Sequence, residues 1–198
     1  MNIELCVNDI YEPFLNDNHP IEIFYGGSSS GKSHFIAQKH LFLGITERGH
    51  NFLTTRKVAD TIRNSIWALY EQMVNKMKIS NLVKMNRSTF SIDFKNGNQI
   101  ICKGLDDPEK IKSLTFKNGP LTDEWLEEAT ENTEKDYDQM QLRKRGIAPV
   151  RKQTILSFNP ITELHWLKKR FFDVPDSDYV SILKTTYRDN KFLTSEDI

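Results

Sequence analysis

The run Gly26-Gly27-Ser28-Ser29-Ser30-Gly31-Lys32-Ser33 carries the densest chemistry in the sequence. It fits G-x-x-x-x-G-K-[ST], a loop whose backbone N–H groups cradle phosphate oxygens. Glycines at 26, 27 and 31 are expected to let the chain turn tightly and bring successive N–H groups close to an anion. A helix starting near Gly31 aims its unsatisfied N–H groups and positive dipole end at the same point. Lys32 is placed to reach the β- and γ-phosphates of a nucleoside triphosphate, and the Ser33 hydroxyl to ligate Mg²⁺. The alternative is a serine-rich surface turn before an ordinary helix; the strand–turn–helix context argues against it.

Cleaving a phosphate held there needs a carboxylate for the metal, and hydrolytic sites often add a second to orient and deprotonate water. Two acidic pairs compete, Asp123-Glu124 and Glu127-Glu128. The first follows Asn118-Gly119-Pro120, which leaves almost no strand before it. The second follows the apolar Trp125-Leu126, so Glu127 is read as the metal-side carboxylate and Glu128 as the catalytic one. This reading leaves Asp123 and Glu124 inside a strand that should be buried; the alternative is a solvated acidic helix start.

Three further sets of residues could take part. Asn159 emerges from the apolar run Gln153–Phe158 and is the candidate for sensing a γ-phosphate, with Ser157 second; the alternative is that Asn159-Pro160 only starts a turn. Arg143 and Arg145 lie in the basic cluster at a helix end and are candidate arginine fingers for a neighbouring subunit, or else they answer the helix dipole. Arg56, at the end of the second strand, is read as a solvated loop arginine rather than a phosphate contact.

The elements that must position these groups are legible as periods. Ile21–Tyr25 reads as a strand, and Lys32–Thr46 as a helix with Phe35, Ile36 and Leu43 on its apolar side. A second strand at Asn51–Thr55 precedes a long amphipathic helix with Val58, Ile62, Ile66, Leu69, Met73 and Met77 inward. Thr89–Phe94, the Asn96-Gly97 turn and Gln99–Cys102 form a β-hairpin, with Leu82–Met85 a strand before it. A short helix is expected from Asp106 through Leu114, with Pro108 near its start and Lys110 and Lys112 solvated. Another opens at Thr133 and stops at Gly146, a third spans Thr162–Phe172 with Leu164, Leu167 and Phe171 inward, and Tyr179–Leu183 is the last strand. Residues 1–20, with Tyr11, Pro13 and Phe14, read as an arm packing on the core rather than a surface for a base.

At 198 residues the chain suits one domain with a real core. No run is long and apolar enough to span a membrane, and the N-terminus has no signal-peptide pattern. Two cysteines and five unclustered histidines suggest neither a disulfide framework nor a metal site. A net charge of zero means that any nucleic-acid contact must be local, transient or shared among subunits.

The ordered set of Gly26 to Ser33, Trp125 to Glu131, Gln141 to Gly146, Ser157-Phe158-Asn159-Pro160 leading to His165-Trp166, and Thr185 to Asn190 resembles the ATPase domain of the tailed-bacteriophage terminase large subunit. That family drives double-stranded DNA into empty proheads. The resemblance implies an α/β P-loop NTPase of the additional-strand, catalytic-glutamate, RecA-like type. Its mostly parallel sheet would hold the P-loop strand centrally, with flanking helices and a β-hairpin insertion. It supports Glu127 and Glu128 in their two roles and places Ser157 to Asn159 in a coupling segment. It also implies ATP and Mg²⁺ as cofactors, double-stranded DNA, a portal protein and the terminase small subunit as partners, and the host cytoplasm as location. A ring homo-oligomer would be the working form, with a monomer in isolation. Residues 21–190 would be the core and 191–198 the start of a linker to a nuclease domain this chain lacks, so no nuclease activity is expected.

Two positions depart from the family pattern. Ser28 stands where many relatives have Arg, which favours an arginine borrowed from a neighbour, and Glu127 replaces the more usual Asp. A small P-loop kinase and a non-hydrolysing, nucleotide-dependent assembly module are the rival readings.

Overall fold

The apolar residues of the strands alternate between two faces, and each face meets its own layer of helices. The structure, a computed structural model, describes residues 3–106, 111, 114–173 and 176–194. Its strands are β1 (Ile21–Gly26), β2 (Asn51–Arg56), β3 (Val83–Asn86), β4 (Ser91–Phe94), β5 (Gln99–Gly104), β6 (Asp123–Glu127), β7 (Gln153–Phe158) and β8 (Val180–Thr185). The helices are α1 (Lys32–Thr46), α2 (Ala68–Lys76), α3 (Glu134–Gln141) and α4 (Trp166–Phe171). They surround one eight-stranded sheet in the order β3-β4-β5-β2-β6-β7-β1-β8. From β5 to β8 all neighbours are parallel; β3 and β4 extend the far edge antiparallel.

Phe24, Phe52, Trp125 and Ile155 point to the face covered by α1, α2 and the N-terminal residues. Ile23, Leu53, Leu126 and Leu156 point to the other, where Tyr137, Met140, Leu167 and Phe171 of α3 and α4 close the core. The period-two pattern of the strands therefore separates two cores across one sheet. Before β1, Tyr11 is fully buried and stacks on Phe35 with ring centroids 4.8 Å apart.

The P-loop strand is not central. β1 lies between β7 and the edge strand β8, and β7 separates it from β6. The hairpin continues the main sheet, because β5 pairs parallel with β2 while β4 pairs antiparallel with β5.

Three helices differ from their sequence patterns. After β2 the chain makes a 3-10 turn at Ala59–Thr61 and a π turn at Arg63–Trp67 before α2 begins. Ile62, Ile66, Met73 and Met77 are buried as expected, Leu69 is half-buried, and Trp67, Tyr70 and Val74 join them, while Val58, ahead of the helical turns, stays 47% exposed. Helix α3 has the capping box of Thr133 and Asp136 but ends at Gln141, well before Gly146. Lys144 turns inward there, toward the buried Glu124, so the basic run is a loop and not a helix end. Helix α4 starts late, at Trp166, and leaves Leu164 exposed while Leu167 and Phe171 are buried as expected. The helix expected from Asp106 to Leu114, with Pro108, Lys110 and Lys112, falls largely outside the described residues.

Candidate active site

The loop between β1 and α1 takes its shape from two glycines. Gly26 has φ +143°, and a Cβ there would stand 1.7 Å from the Thr185 carbonyl oxygen of β8. Gly31, with φ +86°, sits in the left-handed region immediately before α1. Gly27 has no positive φ, and a Cβ there would meet nothing within 4 Å, so the expectation that it too is needed for the turn fails. Ser29 adopts φ 60°, an uncommon value for a residue with a Cβ. The arm supports the loop from behind: the Tyr11 hydroxyl donates to the Ser30 carbonyl at 3.0 Å.

Lys32 is buried, and its Nζ donates to the carbonyls of Gly26 (2.9 Å) and Gly27 (2.8 Å) and to Ser30 Oγ (3.1 Å). Burial holds its pKa below the ordinary lysine value, and the Glu128 carboxylate opposes that shift. A cleft of about 290 Å³ opens in front of the loop, lined by Ser28 to His34, Glu128, Ser157, Phe158 and Asn159. The fold thus gathers three separated sequence segments at the C-terminal ends of β1, β6 and β7, where ligands bind in open α/β sheets.

Glu127 ends β6 and pairs in register with Ser157 of β7. Burial raises its pKa; Arg56 opposes this most strongly, Glu128 adds to it, and the Ser33 hydroxyl again opposes it. One buried oxygen, Oε2, has no hydrogen-bond partner. An unsatisfied carboxylate oxygen beside a serine hydroxyl is a hard-oxygen donor set that fits Mg²⁺, which keeps most of its waters and takes few protein ligands. Glu128 turns out of the strand with φ 50° and ψ 53°, a left-handed conformation that costs roughly 1–3 kcal/mol for a non-glycine residue.

Arg56 is not a solvated loop residue. Its side chain is only 20% exposed, with Nε 3.6 Å from Glu127 Oε2 and an Nη 3.7 Å from Glu131 Oε1. The reason lies in the register: β2 pairs Thr55 with Leu126, so the next residues of the two strands, Arg56 and Glu127, emerge side by side. Strand pairing is not visible in a single sequence, and no local signal marks Arg56 as part of the site.

The buried acids at the start of β6 both have polar partners, although Glu124 Oε1 is left without a hydrogen bond. Asp123 pairs with His50 Nδ1 at 2.7 Å and accepts from the Thr122 hydroxyl at 2.6 Å. Glu124 accepts from Gln141 Nε2 (3.1 Å) and Thr154 Oγ1 (3.2 Å), with Lys144 Nζ at 3.4 Å. Both acids lie at the N-terminal end of β6, away from the P-loop. Arg143 and Arg145 lie toward that end too, lining a separate cavity of about 210 Å³ with Leu53, Phe116 and Leu121. Neither arginine joins the cleft of its own chain.

The phage terminase large subunit family matches residues 18–198, nearly the whole sequence. The chain belongs to that family. The terminase large subunit of the PBSX phage of Bacillus subtilis (strain 168) is 28% identical over 167 residues, covering 84% of this chain and 37% of that protein. The large terminase of a thermophilic bacteriophage superposes with a TM-score of 0.80 at 19% identity, covering 97% of this chain and 48% of that one. The same thermophilic-phage terminase in complex with ATP-gamma-S superposes with a TM-score of 0.76 over 96% of this chain and 47% of that one, also at 19% identity. This terminase chain spans less than half the length of the curated relatives it matches.

Proposed function

We propose that this chain hydrolyses ATP to move double-stranded DNA into viral proheads. The observation that carries the reading is the single cleft joining Lys32 and Ser33 of the P-loop to Glu128, Ser157 and Asn159. A nucleotide-bound relative of the same fold supports it, since the thermophilic-phage terminase takes ATP-gamma-S.

In this reading Lys32 exchanges its contacts with the Gly26 and Gly27 carbonyls for phosphate oxygens. Ser33 and Glu127 would hold Mg²⁺, which supplies charge neutralisation at the β- and γ-phosphates. Glu128 orients the attacking water and takes its proton. Asn159 contacts the γ-phosphate and reports its loss through β7. Trp125 Nε1 donates to Ser157 Oγ at 2.9 Å, tying β7 to β6 beside this point. Ser28 brings no charge to the loop, so Arg143 or Arg145 of a neighbouring copy completes the site in a ring homo-oligomer. A portal protein and the small terminase subunit are the further partners, and the host cytoplasm is the place of action. Among the described residues no helix is long and apolar enough to cross a membrane.

Glu128→Gln tests the central assignment. The variant should lose ATP turnover by about a hundredfold or more while ATP binding, measured by calorimetry, changes little. Normal hydrolysis by this variant overturns the reading.

A further inference from the structure

Glu128 occupies a costly backbone conformation, and something must hold it. The turn that follows is thin: the Glu131 amide donates to the Glu128 carbonyl at 2.9 Å and the Asn132 amide to the Ala129 carbonyl at 3.2 Å. Side chains hold the turn from two elements: at the start of α4, Trp166 Nε1 donates to the Asn132 carbonyl (2.7 Å) and His165 Nε2 contacts the Thr130 carbonyl (3.2 Å), while the acids on either side of Glu128 are held from β2. Arg56, the last residue of β2, reaches Glu127 with Nε (3.6 Å) and Glu131 with an Nη (3.7 Å). These two acids bracket Glu128 in the sequence, one before it and one after.

We propose that Arg56 is a positioning residue that clamps both sides of Glu128 and fixes its left-handed backbone so that its carboxylate faces the P-loop cleft. Three features favour a clamp over an incidental ion pair. The guanidinium is planar and forked, so it can hold two carboxylates at once where a lysine offers one point charge. Neither Arg56 Nε nor Glu127 Oε2 has a hydrogen-bond partner, so charge rather than a hydrogen bond holds that arm of the clamp. Glu127 is a long, flexible side chain, and Arg56 on one side with Ser33 on the other limits that freedom. The proposal rests on the assignment of Glu128 as the catalytic carboxylate; the clamp itself is read directly from the ion pairs.

Amide hydrogen exchange on the full chain tests the clamp without requiring turnover. In Arg56→Gln, the amides of Glu131 and Asn132 should exchange about tenfold faster, while those of β2 and β6 keep their protection. Arg56→Lys should recover part of the protection. Glu131→Gln, which leaves the Arg56–Glu127 pair intact, should loosen the same turn to a smaller degree and serves if Arg56→Gln fails to fold. Unchanged exchange at Glu131 and Asn132 in Glu131→Gln, or in a folded Arg56→Gln, overturns the proposal, as does uniform loss of protection through the sheet in Glu131→Gln. Where the wild type hydrolyses ATP, Arg56→Gln should also lower kcat about tenfold or more with KM within a few-fold. A wild type that binds no nucleotide refutes the ATPase reading alone, because the exchange result stands apart from it.

Discussion

At the scale of single residues, steric demand separates the glycines of the P-loop. Gly26 cannot carry a side chain, since its Cβ would fall inside contact distance of the β8 backbone, which cannot move aside cheaply. Gly26→Ala should therefore cost about 2–4 kcal/mol of unfolding free energy and displace the loop, whereas Gly27→Ala, in open space, should be close to neutral. Urea denaturation of the two variants side by side measures the contrast; equal stability would refute the steric account. The motif requires Gly26 and leaves Gly27 at a variable position, and the approach of β8 gives that difference its physical reason.

At the scale of elements, the buried polar residues act as fasteners between strands and helices. His50, at the entry to β2, is buried between Asp123 of β6 and Glu47 at the end of α1, with contacts of 2.7 and 3.1 Å. Burial alone would lower its pKa, but the Asp123 and Glu47 carboxylates outweigh that and raise it. A histidine raised on folding binds its proton more tightly in the native state. Its contribution is thus fully present below the unfolded value of about 6.5 and is lost as pH rises through the folded value. The stability difference between wild type and His50→Gln should consequently be larger at about pH 6 than at about pH 8.5, by urea denaturation at each pH. A difference that is flat or grows with pH contradicts this. Taking the difference cancels the other titrating groups, including Glu22, which burial raises to about 7 despite its pairing with Lys39 at 2.6 Å.

At the scale of the whole molecule, charge is distributed away from where it would be used. The cleft holds Lys32 as its internal cation, and Ser28 adds none, while Arg143 and Arg145 stand toward the opposite ends of the strands. A ring in which each copy presents that end to its neighbour's cleft satisfies both facts. Chains carrying Arg143→Ala and Arg145→Ala together, mixed with Lys32→Ala chains, should regain ATPase activity that neither has alone, because only the mixed interface joins an intact P-loop to an intact finger. Failure to recover activity in assembled mixtures counts against a finger from this loop.

The sequence by itself determined the P-loop turn, the bounds of α1, the β-hairpin and the apolar strand β7, because each is a local pattern of turn chemistry or burial period. It was enough to place the chain in its family. Only the tertiary structure decided which strands are neighbours, and so moved β1 from the sheet's centre to beside its edge, gave the buried Asp123 and Glu124 their partners, and turned Arg56 from a loop residue into a brace. Those outcomes rest on hydrogen-bond register between segments far apart in the chain, and no local period encodes that register.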